Sequence, residues 1–150
     1  EVVNLHSEAL EFEAIHRVVT DADTDKLMAD MTAALKLTEG VSGQSFTVLL
    51  NGMRKQYSVG APTANLTVGS LQMFLDKWLC ENAGKIDYIH GEDVVENLSS
   101  AKGSIGFLLP SMTKEELFPT VIKDGALPRK TFSMGHAHDK RFYCEARKIR

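Results

Sequence analysis

The segment at residues 45–59 constrains the fold more than any other part of the chain. Phe46, Val48 and Leu50 alternate with Ser45, Thr47 and Leu49, as expected of a strand. Asn51 and Gly52 follow, and a second extended run begins after them. Asn-Gly between two extended runs favours a type I′ hairpin, because both central residues of that turn need a positive φ angle. The chain is therefore expected to build an antiparallel sheet around this hairpin.

Helical and extended patterns alternate along the rest of the chain. Apolar residues recur at helical spacing over residues 25–37, 67–83 and 92–99, and residues 113–116 match a capping box that opens a fourth helix. Further strands are expected at residues 1–5, 14–19, 86–90, 104–109, 130–134 and 141–149, of which the last two would form a second hairpin. We predict an α+β fold: a mixed, largely antiparallel sheet with two β-hairpins and about four helices packed on it.

The last two predicted helices carry specific burial predictions. Helical spacing places Val94, Val95 and Leu98 on the inner face of the helix at residues 92–99. Pro119 is expected to kink the following helix or to divide it into two turns. The residues of that helix expected to be buried are Leu117, Phe118, Val121 and Ile122.

Composition indicates one globular domain that spans residues 1–150. Hydrophobic residues make up 43% of the chain and charged residues 25%. The sequence contains no apolar run near the ~20 residues that a membrane span needs, and no signal-peptide pattern. Cys80 and Cys144 are too few for a disulfide framework and lie in apolar patterns, so we expect buried, reduced thiols and a cytoplasmic location. Nothing in the sequence requires a cofactor for folding.

Positive charge is concentrated at the C-terminal end of the chain. From Arg129 onward there are seven Lys and Arg against two acids, whereas the preceding 128 residues hold ten against eighteen. Arg129 and Lys130 enter the predicted second hairpin and Lys140 and Arg141 leave its turn, so the four side chains would lie close together. Arginine donates two parallel hydrogen bonds and lysine supplies a point charge, a combination that suits phosphate or carboxylate. The alternative is a solvated basic edge that discourages pairing with other sheets.

Two further polar groups interrupt apolar or extended runs. His16 and Arg17 lie within an apolar strand, and we take Arg17 as a fifth candidate for the same anion-binding cleft. His136 and His138 project to one side of an extended segment and could bind one metal ion, with Asp139 or His90 nearby. Because histidine titrates near neutrality, His138 oriented by Asp139 is also a candidate for acid–base catalysis. The alternative is a pair of solvated loop histidines.

Two other classes of site find little support in the sequence. Gly103 and Gly106 flank Ser104 without the spacing of a phosphate-binding loop. A pI of about 6.0, with no helix rich in Lys and Arg, argues against duplex nucleic acid as a partner.

Four segments resemble the C-terminal part of a bacterial family of unknown function that is sometimes labelled SpoOJ/ParA/ParB/RepB-like. They are EVVNLHSEALEFEAIHRVV at residues 1–19, YIHG at 88–91, GFLLP at 106–110 and GALPRKTFSMGHAHDKRFYCEARKI at 125–149. In that family a ParB-type N-terminal half with a DGHHR- or DGNHS-like motif precedes the equivalent of Glu1, and this motif is absent here. Glu replaces His136 in family members, which leaves His138 as the better histidine, and no catalytic residue is established that could be carried over.

The resemblance implies a larger protein that handles nucleotides, since related ParB-type folds include nucleotide hydrolases and a free-serine kinase. The chain also begins without methionine, on residues that read as the middle of a strand. We therefore expect a C-terminal ligand-binding domain of a longer two-domain bacterial protein. Its partners would be the N-terminal half of its own protein and a phosphate-bearing small molecule, bound in a site that the two halves share.

Two other functions stay open at this point, and so does the oligomeric state. The chain could be a structural or dimerisation module, which predicts a sizeable apolar surface patch. It could instead be a metal-dependent hydrolase, which needs at least three ligands around one ion. The candidate ligands for that ion are His90, Glu92, His136, His138 and Asp139.

Overall fold

The fold is known from a computed structural model, which describes residues 10–134. Four helices and eight strands alternate along this part of the chain. In chain order they are β1 (Phe12–Ala14), β2 (His16–Thr20), α1 (Thr24–Leu35), β3 (Leu37–Glu39), β4 (Ser45–Leu50), β5 (Met53–Val59), α2 (Thr67–Glu81), β6 (Lys85–Ile89), α3 (Glu92–Ser99), β7 (Ile105–Leu108), α4 (Lys114–Asp124) and β8 (Phe132–Met134).

Six strands form one sheet in the order β3-β5-β4-β7-β2-β6, and β1 pairs with β8 in a separate two-stranded ribbon. All the pairs between described strands are antiparallel. The predicted α+β class is therefore confirmed. The β6-α3-β7 unit adds no parallel pair to the described sheet, because β2 lies between its two strands and pairs with both.

The first predicted hairpin is confirmed in detail. Asn51 and Gly52 have φ angles of 52° and 73°, and Leu50 pairs with Met53 on either side of them. Positive φ at both central residues is the geometry that the Asn-Gly pair favours. The second predicted hairpin cannot be followed in the same way, since its later strand at residues 141–149 lies outside the described residues, as does the opening strand at residues 1–5.

The six-stranded sheet is covered on both faces, by α1 and α2 on one side and by α3 on the other. Successive side chains of a strand point to opposite faces, so Val19 packs with Leu71 in the larger core while Val18 packs with Val95 of α3. The largest fully buried apolar side chains of the first face are Leu27, Met31, Leu35, Leu71, Leu75, Ile105 and Phe107.

The predicted inner face of α3 is only partly correct. Val95 is fully buried, but Val94 and Leu98 are exposed. The reason is a close approach of α3 to β7 at Gly106, where a Cβ atom would lie 2.7 Å from Cγ1 of Val95. The helix therefore faces the sheet with Val95 and with Ser99, one turn later, and its neighbouring apolar positions turn outward.

The predicted burial of the apolar face of α4 is wrong for three of its four residues, and only Leu117 packs, partly buried, against the core. Phe118 is 62% exposed and Ile122 85% exposed, and Val121 is exposed as well. Thr120 faces the protein instead, and its Oγ1 accepts a hydrogen bond of 2.8 Å from Nδ2 of Asn65. Thr120 and Leu117 thus face the protein, whereas Phe118, Val121 and Ile122 face solvent.

Three smaller predictions also have an outcome. The capping box at Thr113 and Glu116 is present. Pro119 does not divide α4, which runs without a break from Lys114 to Asp124. Cys80 is exposed rather than buried, because it lies on the outer face of α2, while Cys144 lies outside the described residues.

Among residues 10–134, no helix combines the length and the apolar character needed to cross a membrane.

Candidate functional site

Arg17 is the centre of a cluster that joins β2, β6, α2 and the segment before β8. Its side chain is fully buried. The guanidinium donates hydrogen bonds to the carbonyl oxygen of Ile15, to Oε1 of Gln72 at 3.2 Å and to the carbonyl oxygen of Arg129 at 3.1 Å. It also lies 5.1 Å from the centre of the Tyr88 ring. We call Arg17, Gln72, Asp76, Tyr88 and Arg129 the arginine cluster.

The strand register explains the position of Arg17. In β2 it lies between Phe107 of β7 and Tyr88 of β6, on the face that α2 covers. Burial lowers the pKa of its guanidinium to about 10, against the opposing effects of Tyr88 and Asp76. A charge is thus held inside the fold, where hydrogen-bond acceptors, the Tyr88 ring and the nearby carboxylate of Asp76 compensate it.

Arg129 is fixed at both its backbone and its side chain. Arg17 binds its carbonyl oxygen, while its own guanidinium donates a hydrogen bond of 2.7 Å to Oδ1 of Asp76 and lies 5.7 Å from the centre of the Tyr88 ring. The hydrogen bond to Asp76 raises the pKa of Arg129. The side chain nevertheless remains 63% exposed. The guanidinium of Arg129 is therefore accessible to solvent, while the buried Arg17 fixes its backbone.

The other predicted anion-binding residues divide into two groups. Lys130 is exposed, has a φ angle of 54° and makes no ion pair within residues 10–134. Lys140 and Arg141 lie outside the described residues, so the convergence of four basic side chains stays a prediction. Arg17 was predicted as a fifth residue of the anion-binding cleft, but its side chain is buried beneath Arg129.

A groove of about 410 Å³ adjoins the arginine cluster. Gln72, Met73 and Asp76 of α2 line one side, and Pro128 with Arg129 lines the other. Within the cluster, Nε2 of Gln72 donates to Oδ1 of Asp76 at 2.8 Å and to the Tyr88 hydroxyl at 3.2 Å. The groove therefore combines an apolar wall with an ordered polar end.

His16 does not share a cleft with Arg17. The two residues are adjacent in β2, so their side chains point to opposite faces of the sheet. His16 lines a cleft of about 330 Å³ with Glu13, His90, Glu92 and Ser111, at the edge where β2 begins and where β6 and β7 end. We call this second site the histidine cleft.

Both histidines of this cleft have defined partners. Nδ1 of His16 accepts a hydrogen bond of 3.1 Å from the backbone N–H of Leu109. Burial lowers the pKa of His16, Glu92 opposes this effect, and Arg17 and His90 add to it. Nε2 of His90 is hydrogen bonded to Oε2 of Glu13, and the two side chains are only 19% and 24% exposed. The Glu13–His90 pair thus links the β1–β8 ribbon to β6.

The predicted metal and acid–base residues His136, His138 and Asp139 lie outside the described residues, and both predictions stand untested. Within residues 10–134 no three His, Cys, Asp or Glu side chains are grouped so that they could bind a metal ion. The described candidates His90 and Glu92 therefore do not form a metal centre with other residues of this range.

Comparison with known proteins adds no further assignment. No family model, no curated protein and no solved structure matches this chain. The ParB-like relationship therefore stays a prediction from the sequence segments that suggest it.

Sequence reasoning missed most of the partners in both sites. Gln72 and Asp76 are four residues apart in α2 and so share a helical face, which was a usable signal beside the apolar stripe. A lone arginine in an apolar strand also requires acceptors, but it does not reveal which ones. The Glu13–His90 contact had no local signal, because 77 residues separate its members.

Proposed function

We propose that this chain is a ligand-binding domain whose ligand is an anionic small molecule held at Arg129 and Lys130. The observation that carries the proposal is the hydrogen bond from the fully buried Arg17 to the carbonyl oxygen of Arg129. Burial of a charge opposes folding unless its contacts compensate it. Here the buried guanidinium of Arg17 holds the backbone of Arg129, and the exposed basic residues Arg129 and Lys130 begin at this point.

The chemistry of the exposed groups favours phosphate or carboxylate. A guanidinium has five N–H donors, and Asp76 accepts from one nitrogen of Arg129. Because its backbone is already held and its side chain packs beside Tyr88, Arg129 loses less conformational freedom on binding than a mobile surface arginine would. Lys130 adds a second positive charge at the next residue. The adjoining groove then offers an apolar wall for the rest of the ligand.

The proposal extends to residues that the structure does not describe. Lys140 and Arg141 would complete the basic surface, and a ParB-like N-terminal half would form the opposite wall. A nucleotide is the phosphate-bearing compound that the ParB-like resemblance implies, in a cytoplasmic bacterial protein. These additions rest on the sequence alone.

Arg129→Ala is expected to abolish stabilisation by phosphate compounds. Ligand at a hundred times its dissociation constant adds about 2.7 kcal/mol to the free energy of unfolding, which raises the melting temperature by several degrees. We would titrate wild type, Arg129→Ala and Lys130→Ala with inorganic phosphate and with Mg-ATP in a thermal-shift assay.

The matched control for this titration is Arg54→Ala. Arg54 is an exposed arginine that also pairs with acids, Glu92 and Glu96, but it belongs to β5. Its removal should leave the phosphate shift unchanged. An equal loss in both arginine variants, or no shift in wild type, would contradict a specific site at Arg129.

A second candidate function is self-association through α4. Its apolar stripe of Leu117, Phe118, Val121 and Ile122 is exposed or only partly buried, whereas polar contacts with Asn65 dock the opposite side. Amphipathic helices normally bury their apolar face. A second copy of the chain could cover this stripe in a two-fold interface, where the same surface serves both subunits.

Ile122→Lys is expected to convert such a dimer to a monomer. The side chain is 85% exposed, so the substitution should leave the free energy of unfolding of the monomer within about 0.5 kcal/mol of wild type. Sedimentation equilibrium of wild type and variant measures the change, with Lys123→Ala as a neighbouring control. A wild-type chain that sediments as a monomer at high concentration would exclude this candidate.

A further inference from the structure

The histidine cleft contains chemistry that the proposed anion site does not use. It lies on the α3 side of the sheet, while Arg17 points to the α2 side. Two histidines with different partners line it together with Glu13, Glu92 and Ser111. Its role can therefore be considered independently of Arg129.

The contact with Glu13 indicates which ring nitrogen of His90 carries the hydrogen that faces the carboxylate. A carboxylate only accepts hydrogen bonds, so Nε2 of His90 carries the hydrogen that faces Oε2 of Glu13. In the neutral ring the other nitrogen, Nδ1, then has a free lone pair. A carboxylate that orients a histidine in this way prepares it to act as a general base.

His16 has the complementary arrangement. Its Nδ1 accepts the N–H of Leu109, so the hydrogen of the neutral ring is on Nε2. Burial favours the neutral form of this ring. His16 therefore offers a hydrogen-bond donor at the wall of the cleft, suited to an oxygen atom that gains negative charge.

The β1–β8 ribbon that carries Glu13 also carries a buried hydroxyl group. Ser133 lies directly opposite Glu13 in the β1–β8 pairing, and such cross-strand neighbours share one face. Phe12 and Phe132 stack at 4.2 Å between ring centres on the other face. Among the buried side-chain atoms of residues 10–134, Oγ of Ser133 is the one without a hydrogen-bond partner. Buried hydroxyls normally have a partner, but this atom is enclosed and Ser133 does not line the histidine cleft, so the proposed site does not include it.

We propose that the histidine cleft is a second site, which binds and hydrolyses a small neutral carboxylic ester. A volume of about 330 Å³ suits a small molecule, and no Lys or Arg among the described residues lines the cleft to bind an anionic one. His90 and His16 are the catalytic residues of this reaction, and Glu13 is a positioning residue.

The reaction needs only water in addition to the ester. Nδ1 of His90 takes a proton from a water molecule while the water oxygen forms a bond to the carbonyl carbon. Nε2–H of His16 stabilises the resulting oxyanion. The bond from the carbonyl carbon to the alcohol oxygen then breaks, and the imidazolium of His90 returns its proton to that oxygen. The products are one carboxylic acid and one alcohol.

The test uses p-nitrophenyl acetate as the neutral ester. Wild type is expected to hydrolyse it with saturation, and His90→Gln should lower kcat/KM at least about tenfold, since a general base contributes roughly 10²–10⁴-fold. Glu13→Gln should lower kcat more than it raises KM. Glu39→Gln is the matched control, because Glu39 pairs with Lys55 at the exposed edge. Phosphate binding tests the anion site and ester hydrolysis tests the histidine cleft, so the failure of one proposal can be distinguished from the failure of the other.

A second measurement does not depend on variants that must fold. Long-range ¹H–¹⁵N NMR spectra of wild type report which nitrogen of each imidazole carries the hydrogen, and we expect Nε2 for both His16 and His90. Hydrolysis that does not saturate, equal rates in wild type and a folded His90→Gln, or a hydrogen on Nδ1 of His90 would each overturn the proposal.

Discussion

Replacing Arg17 with methionine is expected to lower the free energy of unfolding by about 3 kcal/mol, and also to weaken phosphate binding although Arg129 is intact. The variant keeps an unbranched side chain in the core but leaves three acceptors without a donor: the carbonyl oxygens of Ile15 and Arg129, and Oε1 of Gln72. Hydrogen bonds from a charged group contribute about 1.5–3 kcal/mol each.

The burial of the charge acts in the opposite direction. Burial lowers the pKa of Arg17 from its ordinary value to about 10, which corresponds to a destabilisation of about 3 kcal/mol that the methionine variant does not have. Three charge-assisted hydrogen bonds outweigh this amount. The Arg17→Met variant is therefore expected to be less stable than wild type, by less than the summed contribution of the three hydrogen bonds.

Urea denaturation of wild type and Arg17→Met measures this difference, and its pH dependence gives a second check. Because its pKa is lowered, the folded chain should lose the Arg17 proton at a lower pH than the unfolded chain, from about pH 10 upward. Stability rises with pH wherever the unfolded state binds more protons, so the advantage of wild type should grow through this interval.

Arg17→Lys is the control for the role of charge. It keeps the charge but lacks the planar group that reaches several acceptors, and should not restore phosphate binding. Wild-type stability in Arg17→Met would contradict the role that we assign to these hydrogen bonds.

Gly106→Val is expected to lower the free energy of unfolding by about 3 kcal/mol. In a strand, valine is normally more stable than glycine. Gly106→Val is destabilising only because α3 lies so close to this position. A Cβ at this position would lie 2.7 Å from Cγ1 of Val95, 3.1 Å from Cβ of Ser99 and 3.3 Å from Cβ of Leu49. The extra atoms must push α3 away from β7.

The pair Gly106→Val and Val95→Ala provides the control. Val95→Ala alone should destabilise the protein, because it removes buried methyl groups. Combined with Gly106→Val it should recover part of the lost stability, which is a coupling that a double-mutant cycle measures. Strict additivity of the two effects in guanidinium denaturation, or stabilisation by Gly106→Val alone, would contradict the close packing of α3 on β7.

Local patterns predicted most of the described elements. The Asn51-Gly52 turn requires positive φ angles that few other residue pairs adopt, so its hairpin could be recognised without any tertiary information. The capping box at Thr113 is equally local. The helix predicted at residues 92–99 has the observed bounds.

Burial was less predictable, because it depends on what lies opposite each face. The apolar stripe of α4 has the ordinary spacing of a buried face, yet Asn65 binds Thr120 on its other side. Neither residue has a pattern that reveals this contact across 55 positions. The same limitation applies to Val94 and Leu98, whose exposure follows from the position of Gly106 beneath Val95.

The sequence by itself determined the α+β class, the first hairpin and the choice of Arg129, Lys130 and Arg17 as candidate site residues, because charge, turn chemistry and periodicity are local properties. The tertiary structure alone decided that Arg17 lies beneath Arg129 and that His16 lies on the opposite face from it. It also brought Glu13 to His90. These contacts join residues that are distant in sequence, and strand order and register place them together only when the sheet has formed.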